Sequence, residues 1–229
     1  MTSEEQKDLV LSYLPLIRQT AYRIHRHLPP SVDVNDLIGY GILALIEALP
    51  KLDKSRNPTA YLKLRIRGAM YDYLRSVDFA SRNLRSREKT IRRAMEKLSM
   101  EKGKEASDEE LAHFLGVSQE KLTEELQAIS FSYLLSLDEM FQEGRSYEEL
   151  FESKEEGPEE TVIKSDLREK LLKAIEKLDE REKLVLQLLY YEDIPLKEVA
   201  KLLGVSMARV SQIKASAIEK LKALLSSAL

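Results

Sequence analysis

The sequence predicts an all-α protein, and three observations carry that reading. Charged residues make up 33% and hydrophobic residues 43% of the 229 positions, with only 8 Gly and 7 Pro along the length. This composition supports amphipathic helices around a buried core and supplies few of the turns a sheet needs. Apolar residues recur at helical spacing in successive segments. A helix-turn-helix pattern also occurs twice: Leu111 to Leu122 (LAHFLGVSQEKL) returns as Val199 to Val210 (VAKLLGVSMARV), 88 positions later, with Leu-Gly-Val-Ser unchanged.

The first helix runs from Glu4 to His27, with Leu9, Leu14, Ile17, Ala21 and Ile24 at helical spacing, and Pro29-Pro30 ends it. A second helix starts after Asp33. Its stretch from Asp36 to Leu49 is apolar on nearly every side. Either one face packs inward while another awaits a partner, or the whole helix is ordinary core. Asn57-Pro58 breaks the chain, and a long helix from Thr59 to about Val77 sets Arg65, Arg67 and Arg75 among Tyr61, Tyr71 and Tyr73. Such a helix suits unpaired or melting DNA, because aromatic rings stack on bases while arginines hold the backbone. It is also what an ordinary amphipathic surface looks like.

A basic stretch, Ser86 to Lys97, leads into the first helix-turn-helix, Ser107 to Leu126. In the two copies Ala112 and Ala200 let helices approach, Gly116 and Gly204 suit the positive φ of the turn, and Ser118 and Ser206 cap the second helix. The first copy exposes Glu120, Glu124 and Glu125, which repel phosphates, so it reads as a packing unit. DNA contact from this region would come from Arg85, Arg87, Arg92 and Arg93. In the second copy Leu196 to Leu203 and Met207 to about Leu224 are the helices, with Val199, Ala200, Leu203, Val205, Val210 and Ile213 packed inside. Met207, Ala208, Arg209, Ser211, Gln212 and Lys214 are then expected outward, at the front of a helix built to enter a major groove. Gln212 suits an adenine edge; Arg209 and Lys214 suit guanine or phosphate.

The net charge of -3 conceals a basic, acidic, basic order. Residues 1–100 hold 18 Lys+Arg against 11 Asp+Glu, residues 101–166 hold 6 against 19, and residues 167–229 hold 12 against 9. Residues 54–93 alone carry 12 basic and 3 acidic side chains, the density of a surface that follows phosphates. Residues 127–166 carry 3 basic and 11 acidic side chains with Gly144 and Gly157-Pro158, the make-up of an extended linker.

Catalysis finds little support. The absence of Cys excludes disulfides and thiolate metal sites, and the three histidines are His25, His27 and His113. His25 and His27 stand two apart and point to different sides of a helix, so they do not share a metal. No phosphate-binding Gly loop or nucleophile elbow occurs. No enzyme activity, cofactor or metal is therefore expected. No apolar run approaches the ~18 residues of a membrane span, and Met1 to Asp8 is too polar for a signal peptide, which predicts a cytoplasmic protein without a membrane partner.

Taken together, these residues resemble a bacterial RNA polymerase sigma factor of the housekeeping-type superfamily, most closely its flagellar, or motility, class. The match runs in order over nearly the whole chain. Asp36-Leu37-Ile38 through Gly41, Leu45 and Asp53 is similar to the helix that docks on the clamp coiled coil of core polymerase. Arg65 to Met70, then Asp72, Leu74-Arg75 and Asp78, resembles the segment that reads the minus-ten element and supports melting. Glu182 to Leu189, Glu198-Val199-Ala200 and Arg209 to Ile213 resemble the domain that reads the minus-thirty-five element. Three departures bear on function. The family's aromatic before the strand-opening helix falls on Pro58 and its Trp on Phe79; its docking-helix Gln falls on Gly39; and its charged readers fall on Met207, Ala208 and Ser211. These imply a different melting set, one altered polymerase contact and a different minus-thirty-five sequence.

The expected organisation is three small helical domains: 1–84 for polymerase docking and minus-ten recognition, 85–130 as a central helix-turn-helix unit, and 167–229 for the minus-thirty-five element, with 131–166 as the acidic linker. The expected polymerase contacts are Asp36, Leu37, Ile38, Gly41, Leu45 and Ile46. Arg67, Tyr71, Arg75, Asp78, Phe79 and Arg82 are expected at the minus-ten element, and Arg209, Gln212 and Lys214 at the minus-thirty-five element. The partners are core RNA polymerase, promoter DNA and, by resemblance, an anti-sigma protein. The acidic linker is expected to enter the basic polymerase channel as a nucleic-acid mimic; the alternative is a solvated spacer. Two other functions remain in view: a helix-turn-helix regulator binding duplex operators as a dimer, and an enzyme using the central carboxylates.

Overall fold

The computed structural model describes residues 3–51, 58–77, 82–143 and 169–226. Every regular element among them is helical. The chain forms two compact units, Met1–Phe79 and Ala80–Leu229.

The first unit holds α1 (Ser3–His25), α2 (Val34–Ala48, continued by the 3-10 turn Leu49–Lys51) and α3 (Pro58–Ser76). The side chain of Asp33 caps α2 by accepting the Asn35 N–H at 2.8 Å, and Asp36 adds a negative charge in the first turn, where the helix dipole favours it. Pro58 opens α3, a position where its missing N–H costs nothing. Leu62, Ile66, Met70 and Leu74, four apart on α3, are fully buried with Ile17 and Ala21 of α1 and Leu37 and Leu45 of α2. All three helices meet at Gly41. A Cβ there would lie 2.7 Å from Met70 Cε and 2.8 Å from Ile17 Cγ2, so only glycine fits without movement.

The second unit holds α4 (Arg82–Lys102), α5 (Asp108–Leu115), α6 (Gln119–Glu143), a short α7 over residues 169–176, α8 (Glu180–Leu186, widening into a π-helical turn at Gln187–Tyr191), α9 (Leu196–Leu203) and α10 (Met207–Ser226). The pairs α5–α6 and α9–α10 are the two copies read in the sequence. Gly116 and Gly204 end α5 and α9 at φ 66° and 64°. Neither has an atom within 4 Å of where a Cβ would stand, so the left-handed backbone alone selects glycine. Ser118 and Ser206 accept the N–H of Lys121 and Arg209, as a cap requires.

Two expectations are corrected here. Residues 131–143, assigned to the extended linker, continue α6, and Phe131 and Leu135 are buried. Their apolar spacing extends Leu122, Leu126 and Ile129, and it outweighs the acidic composition. The central and C-terminal copies also share one core: Ile91, Leu98, Leu111 and Leu126 lie in the same buried cluster as Val199, Ala200, Met207 and Val210. The remaining acidic segment, 144–168, lies outside the described residues.

Candidate polymerase and nucleic-acid interfaces

Helix α2 has two faces with different work. Leu37, Gly41 and Leu45, expected to touch polymerase, point into the first unit, because α1 and α3 pack on that side. That is a correction to three of the six expected contacts. Asp36 and Ile46 are exposed and Ile38 is half-buried, and the same outer face carries Tyr40 and Leu43, the latter 55% exposed. Sequence reasoning found the helix and its surplus of apolar residues but took the wrong registers for the surface. Asn35, Gly39, Leu43 and Ile46, at spacings of three and four, are the pattern that marks the outer stripe.

Asp36 is held in place by the neighbouring helix. Tyr73 of α3 donates its hydroxyl to Asp36 Oδ2 at 2.8 Å, and its ring stacks on Tyr40 with centroids 4.4 Å apart. The hydrogen bond to the carboxylate pushes the Tyr73 hydroxyl up to about 12. On α3 itself Lys63, Arg67, Tyr71 and Arg75 fall four apart on one face, beside the buried stripe, with Arg67 exposed and Tyr71 and Arg75 half-buried. Arg75 Nη1 pairs with Asp72 Oδ1 at 2.5 Å. Asp78 and Phe79 lie outside the described residues, as does the side chain of Arg82, which opens α4.

The front of α10 overturns the expectation that its reading residues face solvent. Met207, Ala208, Ser211 and Lys214 are 3%, 1%, 4% and 4% exposed, and Arg209 and Gln212 are half-buried. The cause is the central copy. Asp108, the first residue of α5, accepts the backbone N–H groups of Met207 at 2.7 Å and Ala208 at 3.1 Å. These are the orphan donors of a helix start, and a carboxylate there also meets the positive end of the helix dipole. Arg209 turns to Glu105 at 3.3 Å and donates to Gln212 Oε1 at 3.2 Å. Apolar Met207 and Ala208 thus complete an internal interface. Asp108 and Glu105 do not stand out in the sequence when either helix-turn-helix is taken alone; the signal is an acidic helix start in one copy and an apolar one in the other.

Deeper in the same seam, Lys214 Nζ donates to Ser130 Oγ of α6 at 2.9 Å and stands 5.0 Å from the centre of the Tyr190 ring. Burial pushes its ammonium down to about 7. Glu182 is also buried, on α8, where it closes a capping box with Asp179, receives the Ser216 hydroxyl at 2.8 Å and pairs with Lys220 at 2.6 Å. Among the described residues no group of three or more His, Cys, Asp or Glu side chains is placed to hold a metal, and no helix is long and apolar enough to cross a membrane.

Comparison with known proteins covers almost the entire chain. Sigma-70 region 2 matches residues 9–79, Sigma-70 region 3 residues 88–162, and Sigma-70 region 4 residues 174–223. The chain is 37% identical over 227 residues to RNA polymerase sigma factor FliA of Yersinia enterocolitica, covering 97% of this chain and 99% of that protein. It is 36% identical over 224 residues to the RNA polymerase sigma-D factor of Bacillus subtilis, covering 95% and 88%. In solved structures it resembles the sigma subunit of a flagellar sigma/anti-sigma complex, Sigma-28/FlgM, with a TM-score of 0.88, 51% identity and coverage of 97% and 96%.

Proposed function

This chain belongs to the sigma-70 family of RNA polymerase sigma factors, and we propose how its surfaces divide the work of a flagellar-class member. As a sigma factor it binds core RNA polymerase and directs promoter-specific initiation, a subunit that selects DNA while the polymerase supplies the chemistry. The flagellar assignment follows its likeness to FliA and to the sigma subunit of Sigma-28/FlgM. The same likeness assigns it an anti-sigma partner, and work on promoters supports a cytoplasmic location.

The observation that carries the docking role is the outer face of α2. Tyr40, Leu43 and Ile46 remain exposed after the core of the first unit is full, and Asp36 at the head of that face is fixed by Tyr73. We assign core binding to Asp36, Ile38 and Ile46 from the expected set, and add Tyr40 and Leu43. The Arg67, Tyr71 and Arg75 face of α3, with Asp78, Phe79 and Arg82, takes the minus-ten element by stacking and phosphate contact. Arg209, Gln212 and Lys214 take the minus-thirty-five element after α10 leaves the central copy. The closed α10 counts against a stand-alone operator-binding regulator, whose reading helix would need to face solvent in the free protein.

The test is Leu43→Glu in the full chain. This reading expects a folded protein that loses core affinity and promoter-dependent transcription together. A folded variant with unchanged core affinity would remove the assignment.

A further inference from the structure

Lys214 is a buried lysine with neutral company. Its ammonium has one hydroxyl acceptor, Ser130 of α6, and one ring face, Tyr190. The charged groups around the seam are engaged elsewhere. On α6 and α4, Tyr133 donates its hydroxyl to Glu88 at 2.6 Å and Arg92 donates to Glu88 at 3.0 Å. On α8 Glu182 is taken by Lys220 and Ser216, and on α10 Arg209 faces Glu105 while Glu219 stands 3.5 Å from the Tyr133 hydroxyl. None of them forms an ion pair with Lys214, and burial is what acts on its proton affinity. An unpaired ammonium in such a place sheds its proton rather than remain charged.

Ser130 belongs to the central half of the second unit and Lys214 to the C-terminal half. Separating α10 from α6 therefore returns the ammonium to water. We propose that the docking of α10 on α6 is proton-linked: Lys214 releases a proton when α10 docks and recovers it when α10 leaves, so acidification opens the second unit. The released helix then carries Lys214 in its charged form, the form that attracts a phosphate. The sign follows from burial, since the docked group holds its proton less tightly than the solvated one. Docking is favoured as pH rises from about 7 towards the ordinary lysine value of 10.5, and below about 7 both states are charged and the dependence ends. This inference does not depend on which DNA sequence is read.

Two amides report the event directly. The N–H groups of Met207 and Ala208 have no acceptor within their own helix and are held by Asp108 only while α10 is docked. Their hydrogen exchange in the full chain, corrected for intrinsic base catalysis, gives the opening constant. In the wild type it should fall about tenfold per pH unit between about pH 7.5 and 9.5, the slope of one released proton. In Lys214→Met it should be low and flat. In Lys214→Arg, which keeps its charge, it should be high and flat. A flat wild-type profile, or the wild-type slope persisting in Lys214→Met, would overturn the proposal. Should Lys214→Met fail to fold, Lys214→Gln serves the same comparison, and a persisting slope there has the same meaning.

Discussion

Replacing Asp108 with alanine should make the free protein a better binder of minus-thirty-five duplex. The carboxylate of Asp108 accepts two N–H groups from the first turn of α10, at 2.7 and 3.1 Å, from a partly buried position. A hydrogen bond to a charged group is worth ~1.5 to 3 kcal/mol net, and water replaces part of that once the seam opens. The two bonds share one carboxylate and do not add fully, so about 2 kcal/mol is a fair value for the pair. At 1.4 kcal/mol per factor of ten, the opening constant rises about 30-fold. While the docked state dominates, apparent DNA affinity is set by the open fraction, so it rises by about the same factor. Fluorescence anisotropy with a labelled duplex and the full chain reads this, with Glu109→Ala as control. Glu109 is exposed on the same turn, so its removal deletes the same charge without touching α10. An Asp108→Ala affinity within about twofold of the Glu109→Ala value would refute the latch, because only general electrostatics would then be acting.

Other expectations test the remaining parts. Leu43→Glu should lower core affinity by at least about tenfold with native helicity, whereas Leu45→Glu should unfold the first unit by burying a charge, as circular dichroism and core pull-down together will show. Glu182→Ala should lower the stability of the second unit by about 1 to 3 kcal/mol in urea unfolding, since it leaves the Ser216 hydroxyl without its acceptor and opens the capping box with Asp179; Lys220 is partly exposed and keeps Asp179 at 3.7 Å, so its share of the loss is small. The Tyr73 hydroxyl should titrate near 12 by ultraviolet absorbance and move back towards 10 in Asp36→Asn, whose amide no longer holds the proton by charge. Gln212→Ala should relax preference at one base of the minus-thirty-five element by ~1 to 3 kcal/mol, read by competition among single-base duplex variants.

What was legible in the sequence was local. The two copies of Leu-Gly-Val-Ser fixed both turns, because a left-handed glycine and a capping serine are requirements of a few neighbouring residues. The apolar surplus of α2 was visible too, and so was the interleaving of Arg67, Tyr71 and Arg75 along α3. Facing was less legible, because it depends on what else packs nearby. Leu37, Gly41 and Leu45 match the docking pattern by resemblance but fill the core, since α1 and α3 claim that side of α2. Met207, Ala208 and Lys214 sit where a lone helix-turn-helix would show them to DNA, but Asp108, a hundred residues away, takes the helix start. Composition misled at 131–143, where acidic side chains suggested a spacer while Phe131 and Leu135 kept α6 going.

Reconstitution measures directly whether this chain is a promoter-selecting subunit. Purified protein is added to core polymerase lacking any other sigma factor, with a flagellar-type promoter and a housekeeping promoter on equal templates. The flagellar-type promoter should give discrete transcripts that depend on the added protein, the housekeeping promoter few, and Leu43→Glu should abolish the signal. Transcription that does not increase on adding the protein, or that rises equally from both templates, would contradict it.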